Sequence, residues 1–170
     1  MCEPFVVTDE FYTAIGKLTV AWQVVESPLD VLTGILYWRA GGKQHAPKKD
    51  ELPRSFDVKL KYCRKCFGTL ENLSDLREGA LIVLTKAKQL SLDRHRLTHG
   101  LVDNFTPVKP GVILINRIVY ERDKHFLETT QTSMSEIIET FEKINALASA
   151  VSLLLGEVRE KFGVAREVYS

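Results

Sequence analysis

The stretch 9-DEFYTAIGKLTVAWQVVESPLDVLTGILYWRA-40 decides the fold, because its apolar residues recur with the spacing of one helix face. Successive members are three or four residues apart, as on the buried side of an amphipathic helix. They are Ile15, Leu18, Trp22, Val25, Leu29, Leu32 and Leu36. The pattern predicts a helix over residues 9–40, capped by Thr8 and ended by Gly41-Gly42. Pro28 lies inside it and predicts a kink, since the apolar register is the same on both sides.

The same spacing predicts three further helices. The second spans residues 54–71, and its apolar positions are Phe56, Leu60, Cys63, Phe67 and Leu70. The third begins at a Ser74 cap and continues to the His99-Gly100 pair, with an apolar face formed by Leu73, Leu76, Ala80, Val83, Ala87 and Leu90. Ser133 and Glu136 form a capping-box pair that predicts the start of the last helix, which ends near Gly163.

Residues 112–120 interrupt this helical pattern with a β-branched, apolar run. A charged turn at residues 121–124 and a second run at 125–130 complete a predicted β-hairpin, inserted at about residues 111–130. The fold class expected is therefore mainly α: an antiparallel helical bundle of four long helices with an inserted β-hairpin. The length of 170 residues fits a single domain, residues 1–170.

Composition narrows the functional classes. Apolar residues make up 45% and charged residues 26% of the chain, which excludes a collagen-like or wholly disordered protein. The net charge of +1 excludes a surface that is basic all over, so contact with nucleic acid must be local. No apolar run approaches the roughly 18 residues of a membrane span, and no signal peptide is recognisable, so no membrane contact and a cytoplasmic location are expected.

The most informative segment for function is 93-DRHRLTHG-100. Continuing the apolar spacing of the third helix places Arg94 where an apolar residue is expected. A buried guanidinium needs a counterpart, which is either the carboxylate of Glu26 or Asp93, or an anionic ligand that enters from a cleft. In the second case Arg94 is a phosphate clamp, because its planar fork binds two oxygens at once.

His99 and His95 add proton-carrying groups to this segment. An ordinary imidazole exchanges its proton near neutral pH, although a histidine at a helix end also serves as a cap. Residues 94 and 99 are five apart, so on a regular helix their side chains point about 140° away from each other. They converge only if the helix end is loosened at Gly100 or if two subunits share the site.

The spacing Arg94-x4-His99, with the polar His95 directly after the arginine, resembles the R-polar-x3-H signature of HEPN domains. The turn from Trp22 to Glu26 and the Leu-Thr-His-Gly ending also look like small bacterial proteins of that superfamily. The resemblance covers about residues 9–100 and 133–162, and the hairpin is not part of a minimal HEPN bundle.

This resemblance implies a metal-independent endoribonuclease that acts as a homodimer, with Arg94 and His99 of both subunits in one cleft. A base removes the proton of a ribose 2′-hydroxyl, which attacks the neighbouring phosphate, and an acid protonates the leaving oxygen. His99 would be the base or the acid, Arg94 would stabilise the charge on phosphorus, and His95 would position the substrate or carry a second proton. RNA is the implied partner, with a toxin or defence role, a cognate antitoxin or regulator, and no cofactor or metal.

A basic segment is the candidate surface for tracking RNA. Residues 41–66 carry eight lysines and arginines against three carboxylates. A solvated loop and helix face is the commoner meaning of such a stretch. The residues expected to bind nucleic acid are Arg96, Lys43, Lys48, Lys49, Lys61, Arg64 and Lys65.

Three alternatives stay open. The chain is a non-catalytic HEPN-like binding or assembly module if Glu26 or Asp93 holds Arg94. Cys63-x-x-Cys66 has the spacing of half a zinc site, but the helical pattern already explains Cys63 as a core residue and no second pair follows. His95 and His99 have the i, i+4 spacing of a metal-binding pair, with Asp93 or Asp103 as a third ligand, but the glutamate of the HExxH motif is absent.

Overall fold

The computed structural model describes residues 3–4, 6–48, 51–121 and 124–165. This part of the chain is mainly helical, with a small antiparallel sheet, as the sequence predicted. Its four α-helices are α1 (Asp9–Trp38), α2 (Phe56–Thr69), α3 (Arg77–His99) and α4 (Met134–Lys161). Two short 3-10 helices lie at Gly42–His45 and Glu71–Leu73. Helix α2 has 14 residues and is therefore shorter than the helix predicted over residues 54–71.

Helix α1 confirms the prediction from its apolar spacing. The hydroxyl of Thr8 accepts a 3.3 Å hydrogen bond from the backbone N–H of Phe11 and so caps the helix. Six of the seven patterned residues are buried, and Ile15 is half-buried. The helix continues through Pro28 without a break. It ends before Gly41, whose φ of 83° lies in the left-handed region that favours glycine.

The predicted start of α4 is confirmed, whereas α3 starts three residues later than predicted. The Ser133 hydroxyl accepts a hydrogen bond from the Glu136 N–H at 3.3 Å, so the predicted cap of α4 is confirmed. Helix α3 starts at Arg77 rather than at Ser74, because residues 71–76 form a 3-10 helix and a turn first. The Arg77 side chain then donates to the carbonyl of Phe67 at 2.9 Å.

The β structure is larger than a hairpin. Strands β4 (Ile113–Glu121) and β5 (Lys124–Thr132) pair antiparallel, which confirms the predicted hairpin, although Arg122 and Asp123 of its turn lie outside the described residues. The two-residue strand β2 (Leu101–Val102) adds to β4 and makes a three-stranded sheet in the order β2-β4-β5. A separate two-residue pair joins β1 (Glu3–Pro4) to β3 (Pro107–Val108).

The chain divides into two compact units, which share the three long helices. The first, here the sheet unit, comprises Met1–Ala21 and Leu90–Asn145. Its described buried residues include Leu18, Leu97, Ile113, Ile115, Ile137 and Ile144. The second, here the helical unit, comprises Trp22–Gln89 and Ala146–Ser170. That these units form a single domain stays a prediction.

The helical unit has an interior of aromatic and aliphatic side chains. The Trp22 ring packs on Phe56 with 5.0 Å between centroids, and Thr33 lies 3.5 Å from the Cys63 sulfur. Buried aliphatic residues surround them, among them Leu29, Leu32, Leu36, Leu60 and Leu73. At the surface of this unit, Lys161 of α4 pairs with Asp75 at 2.8 Å. Within the described residues, no helix is both long enough and apolar enough to cross a bilayer.

Candidate functional site

Arg94 and His99 lie together at the C-terminal end of α3, in the sheet unit. Nη1 of Arg94 is 3.2 Å from Nε2 of His99, within hydrogen-bond distance. Arg94 is half-buried and His99 is exposed. His99 is the last residue of α3, and the long arginine side chain spans the angle between the two positions. The contact therefore forms within one chain and requires neither a loosened helix end nor a second subunit.

His95 joins this pair from one turn earlier. Its ring centroid lies 4.6 Å from that of His99, with an angle of 44° between the ring planes. Residues four apart share a helix face, so this contact follows from the helix itself. The segment thus places one guanidinium and two imidazoles side by side at a helix end. This combination supplies an anion-binding group beside two imidazoles, the side chain that proteins most often use as a general acid or base.

Gly100 sets the position of this helix end against the sheet. A Cβ at residue 100 would overlap with Cγ2 of Ile115 and would lie 3.1 Å from the carbonyl oxygen of Arg96. Only glycine permits this approach, after which β2 begins at residue 101 and pairs with β4. The sheet therefore fixes where α3 stops, at His99.

The proposed carboxylate counterparts of Arg94 have other hydrogen bonds or ion pairs. Asp93 is 3.8 Å from the guanidinium of its neighbour Arg96, with both side chains about half exposed. Glu26 belongs to the helical unit, where its carboxylate accepts a 2.9 Å hydrogen bond from the indole N–H of Trp22. That bond links two residues of α1 that are one turn apart.

Most residues of the predicted basic surface are exposed in the helical unit. Lys43 follows Gly42 in the first 3-10 helix, and Lys48 pairs with Glu51 at 3.5 Å. Lys61 and Lys65 are exposed on α2. Arg64, on the same helix, donates a 2.7 Å hydrogen bond to the hydroxyl of Thr85. Lys49 lies outside the described residues, and Arg96 belongs to the sheet unit.

Trp38 is a feature of this surface that the sequence reasoning missed. It is the last residue of α1, and 65% of its surface is exposed. Its ring meets Tyr37 edge to face at 4.6 Å, and the Lys43 ammonium lies 6.0 Å from the centroids of both rings. The sequence contained a sign of this exposure, because Trp38 does not fall on the regularly spaced apolar positions of the helix and lies three residues before Gly41. An exposed indole beside a cation has the chemistry of a base-stacking platform.

A third histidine lies beside the basic residues. The Nε2 atom of His45 is 3.0 Å from the Thr69 hydroxyl. Burial lowers the pKa of His45, and the positive charge of Lys65 lowers it further. Both effects favour a neutral imidazole at this position.

The two described cysteines are buried core residues. Burial raises the pKa of Cys63 to about 12 and also raises the pKa of Cys66. The Tyr62 hydroxyl and the Cys66 sulfur lie so close to Gly42 that a Cβ there would stand 2.5 Å and 2.8 Å from them. Cys63 and Cys66 are free thiols, which agrees with the packing interpretation of the Cys63-x-x-Cys66 spacing.

Neither a metal-binding cluster among the described residues nor a comparison with known proteins identifies further site residues. Among the described side chains, no three His, Cys, Asp or Glu residues are grouped closely enough to hold a metal ion. No protein-family model, no curated protein and no solved structure matches the chain.

Proposed function

We propose that this protein is a metal-independent endoribonuclease of HEPN type, with Arg94, His99 and His95 as its reactive groups. The observation that carries the proposal is the 3.2 Å contact between the Arg94 guanidinium and Nε2 of His99. In the transition state of RNA cleavage, additional negative charge builds up on the phosphate oxygens, and a guanidinium can stabilise that charge. The imidazole beside it can accept or donate the proton that the reaction transfers.

Each group has a defined role in this mechanism. Because a guanidinium only donates hydrogen bonds, the bond to Arg94 requires a lone pair on Nε2 of His99. That lone pair takes the proton of the ribose 2′-hydroxyl when the arginine moves to the substrate phosphate. The 2′-oxygen attacks phosphorus, and the bond from phosphorus to the 5′-oxygen breaks. His95, 4.6 Å away between centroids, donates the proton to the leaving oxygen. The products are a 2′,3′-cyclic phosphate and a free 5′-hydroxyl.

The basic face of the helical unit is the proposed RNA-binding surface. Lys43, Lys61, Arg64 and Lys65 would contact phosphates, and Trp38 would stack on a base. The exposure of Trp38 and the proximity of Lys43 support this assignment. Arg96 would contact phosphate next to the reactive groups.

The wider features of the proposal come from the resemblance to HEPN domains. They are an antiparallel bundle arrangement of the four helices, a homodimer with a composite cleft, and a toxin or defence role under a cognate regulator. Light scattering after gel filtration tests the dimer directly, because a mass of about twice 19.3 kDa is expected.

The experiment that tests the activity is cleavage of a labelled, mixed RNA pool in the presence of EDTA. The wild type is expected to cut, to leave 2′,3′-cyclic phosphate ends, and to spare the same sequences with 2′-O-methyl groups. His99→Ala is expected to be inactive. The matched control is His125→Ala, because His125 is an exposed histidine of β5 that is not part of the motif. Equal cutting by wild type and His99→Ala would refute the proposal.

A second function is favoured by the half-buried position of Arg94. In that case the arginine has a structural role, and the chain is a binding or assembly module that cuts nothing. Absence of cleavage across several RNA classes, together with a large loss of stability in Arg94→Ala, would support the module.

A further inference from the structure

The helical unit contains a groove whose chemistry the proposed ribonuclease does not use. It lies between the middle of α1 and the C-terminal half of α4 and has a volume of about 740 Å³. Residues 27–31 form one side, and the other side extends from Ser149 to Arg159, with Val164 beyond the helix. This volume falls in the range of about 300–1,000 Å³ that is usual for small-molecule sites.

Arg159 gives this groove a positive charge. The residue is half-buried, and its Nε atom is buried without a hydrogen-bond acceptor among the described residues. By contrast, Lys161 on the same helix is paired with Asp75 at 2.8 Å. None of the residues that line the groove is acidic. The groove therefore carries a positive charge with no competing carboxylate in its lining, which favours an anionic ligand beside Arg159.

The rest of the lining indicates what kind of anion fits. The hydroxyl-bearing residues Ser27, Ser149 and Ser152 line the same groove as Arg159. Apolar surface lies alongside, where Leu153 is 71% exposed and Val31 is 38% exposed. A guanidinium fork binds two oxygens of a carboxylate or phosphate, and hydroxyl groups donate to a third.

We propose that this groove binds a small amphipathic oxyanion, a carboxylate or phosphate monoester that carries a short apolar chain. The anionic group lies against Arg159 and the serines, and the apolar chain covers Leu153 and Val31. Both recognition elements are required, because the guanidinium contributes charge and orientation while the apolar surface contributes burial. The site does not depend on RNA cleavage.

The test is isothermal titration calorimetry of the full chain with four probes: hexyl phosphate, hexanoate, inorganic phosphate and 1-hexanol. One or both of the amphipathic anions are expected to bind with one site per chain, and the comparison between them identifies the preferred head group. Inorganic phosphate and 1-hexanol are each expected to bind at least about tenfold more weakly than the amphipathic anions, because each lacks one of the two recognition elements. Equal affinity for hexanol and the anions, or no binding of either anion at millimolar concentration, would overturn the proposal.

Two variants locate the binding. Arg159→Gln removes the charge and is expected to lower the affinity about tenfold or more. Gly156 lines the groove, and a Cβ at this position would meet nothing within 4 Å. The leucine side chain of Gly156→Leu is therefore expected to occupy the groove and to abolish binding. The matched control is Gly68→Leu, an exposed helical glycine of α2 with equally open surroundings, which is expected to bind like the wild type.

Circular dichroism confirms that each variant is folded before titration. Replacing a glycine within a helix favours the helix, so Gly156→Leu remains informative even if Arg159→Gln is unstable. Unchanged affinity in folded Gly156→Leu would place the ligand elsewhere and refute the groove as its site.

Discussion

The guanidinium of Arg94 donates a hydrogen bond of 3.2 Å to Nε2 of His99. Arginine has no acceptor, so Nε2 carries a lone pair and the ring proton is on Nδ1 while this bond is present. The bond therefore holds the imidazole in the form that a general base requires. Protonation of Nε2 would remove the acceptor and separate the two side chains. In the proposed mechanism, this lone pair becomes available when the guanidinium moves to the substrate phosphate.

Arg94→Lys tests whether cleavage requires the planar pair of donors of the Arg94 guanidinium. The variant keeps the positive charge but loses the planar pair of donors, so the rate of RNA cleavage is expected to fall by about 10²–10³. Single-turnover cleavage assays with saturating protein measure this loss. Arg117→Lys is the control, because Arg117 lies on β4, where its guanidinium donates to Glu128 at 3.1 Å, and it has no role in the proposed reaction or in RNA binding. Equal activity of wild type and Arg94→Lys would exclude a bidentate clamp.

Stability separates the reactive role of Arg94 from a structural one. If Arg94 serves the reaction, Arg94→Ala is expected to lower the free energy of unfolding by less than about 1 kcal/mol, because the guanidinium then stabilises a bound phosphate rather than the fold. Thermal or urea denaturation measures this change. A loss above about 3 kcal/mol, the cost of leaving a buried charge uncompensated, would contradict the active-site role and support the assembly module.

Gly100→Ala is expected to destabilise the protein through a close approach of helix and sheet. The added Cβ would overlap with Cγ2 of Ile115, which is buried in β4, so a loss of about 1–3 kcal/mol in the free energy of unfolding is expected. Gly68→Ala is the matched control, since its Cβ meets nothing within 4 Å. That control should be stabilised by about 0.5–1 kcal/mol. Similar stability of the two variants in urea denaturation would contradict the packing argument.

The helices were predictable because their signals are local. The apolar spacing of α1 identified buried residues such as Leu18 and Leu36, and the Thr8 and Ser133 caps act within one turn. The glycine pair after residue 40 marked the helix end correctly, because the backbone of Gly41 adopts a positive φ. The two strands of the hairpin were long enough to show a β pattern.

The remaining features depend on contacts that a local pattern does not contain. Strand β2 has two residues, too few for any periodicity, and it exists because Leu101 and Val102 pair with residues of β4. The meeting of Arg94 and His99 depends on a long side chain rather than on helical spacing. The exposure of Trp38 was hidden because an aromatic residue within an apolar helix usually belongs to the core.

Trp38→Ala is expected to weaken RNA binding. Loss of one stacked base corresponds to about 1–3 kcal/mol, or roughly a 5- to 150-fold increase in the dissociation constant. Fluorescence anisotropy with a labelled single-stranded RNA and inactive His99→Ala protein measures the affinity. Tyr12→Ala is the matched control, because Tyr12 is also 65% exposed but lies in the first helical turns of the sheet unit. Equal losses in both variants would contradict a specific platform at Trp38.

Asp103 is expected to titrate well below an ordinary aspartate. Its carboxylate accepts hydrogen bonds from the Thr106 hydroxyl at 2.7 Å, from the backbone N–H groups of Phe105 and Thr106, and from Asn116. These bonds, the Thr106 hydroxyl first, lower its pKa to about 2. The carboxylate therefore stabilises the fold above 3.8, the ordinary pKa of an aspartate, and this contribution is lost as the pH falls towards 2.

Carboxyl-carbon NMR measures this titration residue by residue. In the wild type the Asp103 midpoint is expected near 2. In Thr106→Ala, which lacks the strongest donor, the midpoint should move up towards the ordinary value. A wild-type midpoint at 3.8, the ordinary value of an aspartate, would show that the turn does not hold the carboxylate.

The thiols of Cys63 and Cys66 are expected to be inert in the folded protein. Burial raises the pKa of Cys63 to about 12 and raises that of Cys66, and only the thiolate reacts with disulfide reagents. At pH 8 the thiolate fraction of Cys63 is therefore about 10⁻⁴. In a Cys2→Ser variant, labelling at pH 8 should be negligible in the native state and should reach both cysteines in urea. Rapid native labelling would contradict the core assignment and would reopen a redox or zinc role for the Cys63-x-x-Cys66 pair.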